Sequence, residues 1–169
     1  MNSPWKKRRK IPDPQVRDAA DQFDDARLLL DAQPSESGLL LPLLNNAVAA
    51  LELYLKSLGA VTVHTPVPGF PGGSIVTAEA EVKGHGLIDI LETIPDDVCQ
   101  SLERAYATRH TDRVLRDDLK QYEGLFVASR YIFEKGKRLD KYPLSPLMDL
   151  CSFLRDFVSR REPFDRIEW

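Results

Sequence analysis

Cysteine, histidine and long uncharged apolar runs are all scarce in this chain, and each scarcity closes off a class of function. Two cysteines among 169 residues, Cys99 and Cys151, supply neither a disulfide framework nor the C-x-x-C spacing of a metal knuckle. Both fall inside apolar helical patterns, where a free thiol is a small core residue. As a nucleophile, either would need a histidine brought from afar, and no local feature lowers its pKa. The sequence contains no G-x-x-x-x-G-K-[ST] loop, no H-E-x-x-H pair and no G-x-S-x-G elbow. The N-terminus has the positive charge of a secretion signal without its apolar segment, because Ile11-Pro12-Asp13-Pro14 follows at once. The longest apolar stretch is interrupted by Asn45, Asn46, Glu52 and Lys56, so it falls short of a bilayer-spanning helix. The expectation is a cytoplasmic protein with no membrane contact, no metal site and no cofactor.

Charge is unevenly placed. The formal net charge is −3, but five of the 23 basic residues form the run Lys6-Lys7-Arg8-Arg9-Lys10. Residues 1–12 carry this run without apolar periodicity and read as a flexible basic arm, either solubilising or touching phosphates. Residues 13–169 read as one domain, since the length suits a single core better than two. That body is acidic, which argues against a broad nucleic-acid surface, where many Lys and Arg share one face, while leaving room for a small RNA site.

What the chain has in abundance is leucine and alanine at helical spacing. Leu39 to Leu58 is the most apolar segment: Leu40, Leu44, Ala47, Leu51, Leu55 and Leu58 recur every three or four residues, and Leu43, Ala50 and Tyr54 widen the face. Asn45, Ala49, Glu52 and Lys56 leave one narrow polar stripe, which needs partners from elsewhere if it is buried. Before it, Asp13-Pro14 is a cap followed by proline and starts a helix running to about Ala32, with Val16, Ala20, Phe23 and Leu30 inward and Asp18, Asp21 and Asp25 solvated. After Gly59 the composition shifts to β-branched residues and turn formers, predicting a β-hairpin insertion over 61–82. Short helices are then expected from Leu87 to about Thr93 and from Pro95 to about Ala107. A long one follows over Leu115–Glu134, with Leu115, Leu119, Tyr122, Phe126 and Phe133 on one side and Glu123, Arg130 and Glu134 on a neighbouring face, and a last one starts at Ser145-Pro146, a cap then a proline, and runs to about Arg161. The fold class expected is all-α: a bundle of five to six helices with the small hairpin inserted.

Three pieces stand in order along this scaffold: NAVAALELYLKSLG, then GHGLIDILETIP, then RYIFE. Together they resemble HEPN-domain proteins, over about Leu39 to Glu134. The resemblance implies a helical bundle, a homodimer, a role tied to RNA or nucleotide, and an antitoxin or nucleotidyltransferase partner in toxin–antitoxin or defence systems. Matched residue by residue, it points to Glu52, Lys56, His85, Arg130, Tyr131 and Glu134 as ligand-binding or pocket residues. Glu52 and Lys56 form an i, i+4 pair in the favourable order. A carboxylate on so apolar a helix calls for a buried partner, and a pairing of Glu52 with Arg130 is expected because guanidinium suits a bidentate buried contact. His85, at a helix start, could cap, pair with a carboxylate or move protons.

Active members of the family cleave RNA without metal through an arginine and a histidine four to six residues apart, one stabilising charge on phosphate and the other transferring a proton. Arg104 and His110 have this spacing. Arginine is common in the chain, so one such match is what chance supplies, and His110 falls beyond the helix that carries Arg104. The reading is therefore a binding or regulatory module without catalysis. A metal-independent endoribonuclease using Arg104 and His110 is the alternative, and an interaction domain without a ligand site is the third.

Overall fold

The computed structural model describes residues 7–82, 84–134, 136 and 138–168. Its first element corrects the expectation of a flexible arm and of an all-α fold. Lys7–Ile11 is a strand, β1. It pairs antiparallel on one side with β2 (Val61–Pro66) and on the other with β4 (Phe164–Glu168), while β2 also pairs with β3 (Ser74–Glu79). The result is a four-stranded antiparallel sheet in the order β3-β2-β1-β4, with the basic run as an inner strand.

The physical reason lies in a period of two. Arg8 and Lys10 face solvent, whereas Arg9 and Ile11 are buried. Arg9 buries its aliphatic stem and satisfies its guanidinium twice, donating to the carbonyl of Gly59 and to Glu81 Oε2 at 2.7 Å. Gly59 closes the central helix, so the cation sits at the negative end of that helix dipole.

Seven helices accompany the sheet among the described residues. Helix α1 (Pro14–Asp31) starts as expected, Asp13 Oδ1 accepting from the N–H groups of Gln15 and Val16 at 3.0 and 3.1 Å. Its inner face differs from the apolar one predicted. Phe23 is exposed, and Ala20, Asp24 and Arg27 point inward. Helix α2 (Leu40–Gly59) is the central element, packing on α1 and on α7 (Leu144–Ser159), and more lightly on α3 (Leu87–Leu91) and α6 (Leu125–Arg130). All of its expected core residues are buried except Leu40, which is half exposed at the first turn. Helix α4 (Asp96–Arg109) follows α3 directly.

The expected long helix over Leu115–Glu134 is two shorter ones, α5 (Leu115–Gln121) and α6, and it ends at Arg130. Gly124 sits between them at φ 80°, a left-handed conformation that an L side chain resists. The break is pinned from α7's side: the Tyr122 hydroxyl donates to the Pro143 carbonyl at 2.8 Å. Consequently Tyr131 to Glu134 leave the helix, and Phe133 is 80% exposed instead of facing the core. No helix among the described residues is long and apolar enough to cross a membrane.

Candidate functional site: the polar stripe of the central helix

The stripe on α2 meets its partners on α6 and on the loop before α3. Asn45 Oδ1 accepts from the Ser129 hydroxyl at 2.8 Å. About two turns further on, Glu52, only 6% exposed, has both carboxylate oxygens engaged: Oε1 accepts from Lys56 Nζ at 2.6 Å and Oε2 lies 2.9 Å from His85 Nδ1. Lys56 also donates to the carbonyl of Gly84 at 3.2 Å, tying the loop to the helix. A side chain at Gly86 would collide with Asp89 Oδ2, 2.7 Å from where its Cβ would stand, so a glycine there lets the loop turn tightly into α3. Such a web satisfies a carboxylate that would be costly to bury alone.

Arg130 does not reach Glu52, contrary to expectation. Between them stand His85 and Phe126. The imidazole lies flat on the Phe126 ring, centroids 3.7 Å apart and planes 17° off parallel. The Arg130 guanidinium carbon is 3.7 Å from the same ring's centroid, so with one face taken by His85 it covers the other. The arrangement is a column running Glu52, His85, Phe126, Arg130 from core to surface. Phe126 is the member that sequence matching missed; its place four residues before Arg130 on a helix is the signal that could have found it. Tyr131 is exposed beside Phe133, ring centroids 6.2 Å apart, and Glu134 is exposed outside the column. With α6 ending at Arg130, Arg130 and Glu134 do not share a helical face.

Arg104 and His110 are held apart by separate partners. Arg104 is exposed, its guanidinium 3.4 Å from Gln100 Oε1 one turn back on α4. His110 caps the end of α4 and turns into a different cluster, packed against Tyr106 at 4.6 Å between ring centroids. There Arg113 donates to Asp118 and Asp149, each at 2.9 Å, and Tyr106 donates its hydroxyl to Asp118. Burial, then the bond to Asp118, holds the Tyr106 phenol well above its ordinary pKa, which keeps it a proton donor. His110 Nε2 is 3.3 Å from Asp149 Oδ2 yet out of hydrogen-bonding alignment, and it and Arg113 Nη2 are buried without a hydrogen-bond partner among the described residues. The basic groups that accompany His110 are thus Arg109 and Arg113, which the spacing rule did not select.

Neither thiol is poised for chemistry. Burial pushes Cys151 up to about 12 and raises Cys99 as well. Among the described residues no three His, Cys, Asp or Glu side chains gather closely enough to hold a metal ion. Comparison with known proteins returns no matching family model, no significantly similar curated protein and no significantly similar solved structure.

Proposed function

We propose that the chain is a HEPN-like binding or regulatory module that acts on RNA or nucleotide by binding rather than by cleavage, through the Glu52–His85–Phe126–Arg130 column. The observation that carries the reading is the column's outer end. Arg130 is exposed, has no ion-pair partner among the described residues, and is held against an aromatic ring instead of moving freely. An exposed guanidinium fixed by stacking is what a single-stranded nucleic acid needs, its edge for phosphate and its outer face for a base, since both faces of the Phe126 ring are already covered. His85 is about half exposed, and its Nδ1 is committed to Glu52, so the imidazole is oriented by the core while one edge meets solvent. In this proposal the separation of Arg104 from His110 argues for binding without catalysis. The family resemblance extends the proposal to a homodimer with an antitoxin or nucleotidyltransferase partner.

The test is fluorescence anisotropy of a labelled single-stranded RNA at two salt concentrations, with cleavage of the same RNA followed in EDTA. Wild type should bind without cutting, and both Arg130→Met and Phe126→Leu should bind more weakly. Equal binding by all three proteins would sink the column as the site. Cleavage that disappears in His110→Ala would replace the proposal with the ribonuclease.

A further inference from the structure

A second site, sharing no residue with that column, lies between α4 and α7. Helices α4 and α7 run antiparallel: Ser101 meets Arg161, and eight residues along α4, Arg109 meets Asp156. Between their facing sides is a groove of about 620 Å³, within the range of small-ligand pockets. Its apolar lining is Phe153 and Phe157 together with Ala105, and its charged lining is Arg109, Arg160 and Arg161 against Asp156 alone. Asp156 is committed to Arg109, at 2.8 Å. Arg160 and Arg161 have no ion-pair carboxylate among the described residues; Arg161 is fixed by a bond to the Ser101 hydroxyl at 2.5 Å and by lying 4.1 Å from the Phe157 ring centre. Partial burial holds Arg161 below its ordinary pKa, and the charge of Asp97 offsets that only in part.

We propose that this groove binds a small phosphorylated aromatic compound, with the phosphate held by Arg160 and Arg161 beside Arg109 and the ring seated between the helices on Phe153 and Phe157. Arg109 is neutralised by Asp156 and by Asp149 at 3.8 Å, so the excess rests on Arg160 and Arg161; two guanidinium groups match a dianion better than a monocarboxylate, and their forks fit phosphate oxygens two at a time. The aromatic floor selects a flat apolar body. An extended polyanion is disfavoured because the chain as a whole carries net charge −3.

The experiment is isothermal titration of the full chain with phenyl phosphate, AMP, inorganic phosphate and a short oligoribonucleotide, in wild type, Arg160→Ala and Arg130→Met. Arg160 is exposed and unpaired, so its loss leaves the fold intact, which a cooperative thermal melt checks. One site per chain for phenyl phosphate or AMP, weakened about tenfold or more in Arg160→Ala and unchanged in Arg130→Met, supports the site; the tighter of the two compounds shows whether the body is an aryl ring or a nucleoside. Inorganic phosphate binding as tightly as phenyl phosphate overturns the aromatic part. Loss in Arg130→Met but not in Arg160→Ala moves the ligand to the column and overturns the groove. So do an oligoribonucleotide that outcompetes AMP in an Arg160-dependent way and a well-folded wild type that binds nothing.

Discussion

Replacing Asp24 with alanine strands a guanidinium inside the protein. Asp24 is fully buried and accepts from Arg27 Nε at 2.5 Å and from Arg155 Nη1 at 2.9 Å, and Arg27 itself is only 2% exposed. Burial alone would lower the pKa of Arg27, but its bond to Asp24 carries it above its ordinary value, so the side chain stays charged. Without Asp24, Arg27 keeps only a weak contact from Nη1 to the Met148 sulfur at 3.5 Å. Breaking a buried pair by removing one partner costs about 3–5 kcal/mol, against a total stability of about 5–15 kcal/mol for a domain. Arg155 is spared, because its other nitrogen is 2.7 Å from the exposed Asp25. At an m-value of roughly 2 kcal/mol/M, a loss of about 4 kcal/mol moves the urea midpoint down by about 2 M. Chemical denaturation followed by far-UV circular dichroism reads this directly. The double variant Asp24→Leu with Arg27→Met should recover most of the loss, since an apolar pair of similar size carries no desolvation cost. A single variant losing less than about 1 kcal/mol, or a double variant no better than the single, would refute the reasoning.

Other outcomes follow from the same geometry. Arg130→Met should change folding stability by no more than about 1 kcal/mol, because the cation is exposed and contributes only its stacking on Phe126; Glu52→Ala should cost about 1–3 kcal/mol by leaving Lys56 and His85 without their shared acceptor, and comparing the two urea midpoints checks the order. Removal of residues 1–11 should destabilise the fold and cut the strand signal, since β2 and β4 lose the strand between them; an unchanged melting curve would mean the basic run does not pair. Stability should fall as pH rises above 9. The Cys151 thiol, at 9.0 when unfolded, is pushed by burial up to about 12, so its contribution is complete below pH 9 and is lost as pH rises through 12. The slope is about 1.4 kcal/mol per pH unit, and urea midpoints in Cys151→Ala should show a flatter fall between pH 9 and 10. In the native protein, a thiol reagent should leave Cys151 unlabelled until denaturant is added.

Much of the helical scaffold was legible because it depends on near neighbours. The Asp13-Pro14 start of α1, the apolar girth of α2 and the hairpin of β2 and β3 are all signalled within a few residues of themselves, and α7 starts close to where it was expected, although its N-cap is Pro143 and Ser145 lies inside the helix. The long helix over 115–134 misled because its apolar spacing continues past Gly124, while the break is held by Tyr122 reaching Pro143 across the fold. Phe23 and Phe133 misled because an aromatic at a helical position reads as core when nothing local says that the inner face is ionic or that the helix has ended. At the candidate site a carboxylate was only one of three options open to His85, whereas the i, i+4 pair of Glu52 and Lys56 was legible. The link to Arg130 through Phe126 was not.

The sequence by itself determined roughly where every helix but α6 begins, which helix is central, that its polar stripe needs outside partners, and that the segment after Gly59 is a hairpin. These follow from backbone preferences and apolar period, which act over a turn or two of chain. Only the tertiary structure decided that Lys7 to Lys10 lie in an inner strand of a sheet, that Asp24 meets Arg155 across 131 positions, and that Arg104 and His110 have different partners. A buried charge is tolerated where a partner is waiting, and whether one waits depends on chain segments far away in sequence. Lys, Arg, Asp and Glu look solvated when read locally, and here several of them are what holds the interior together.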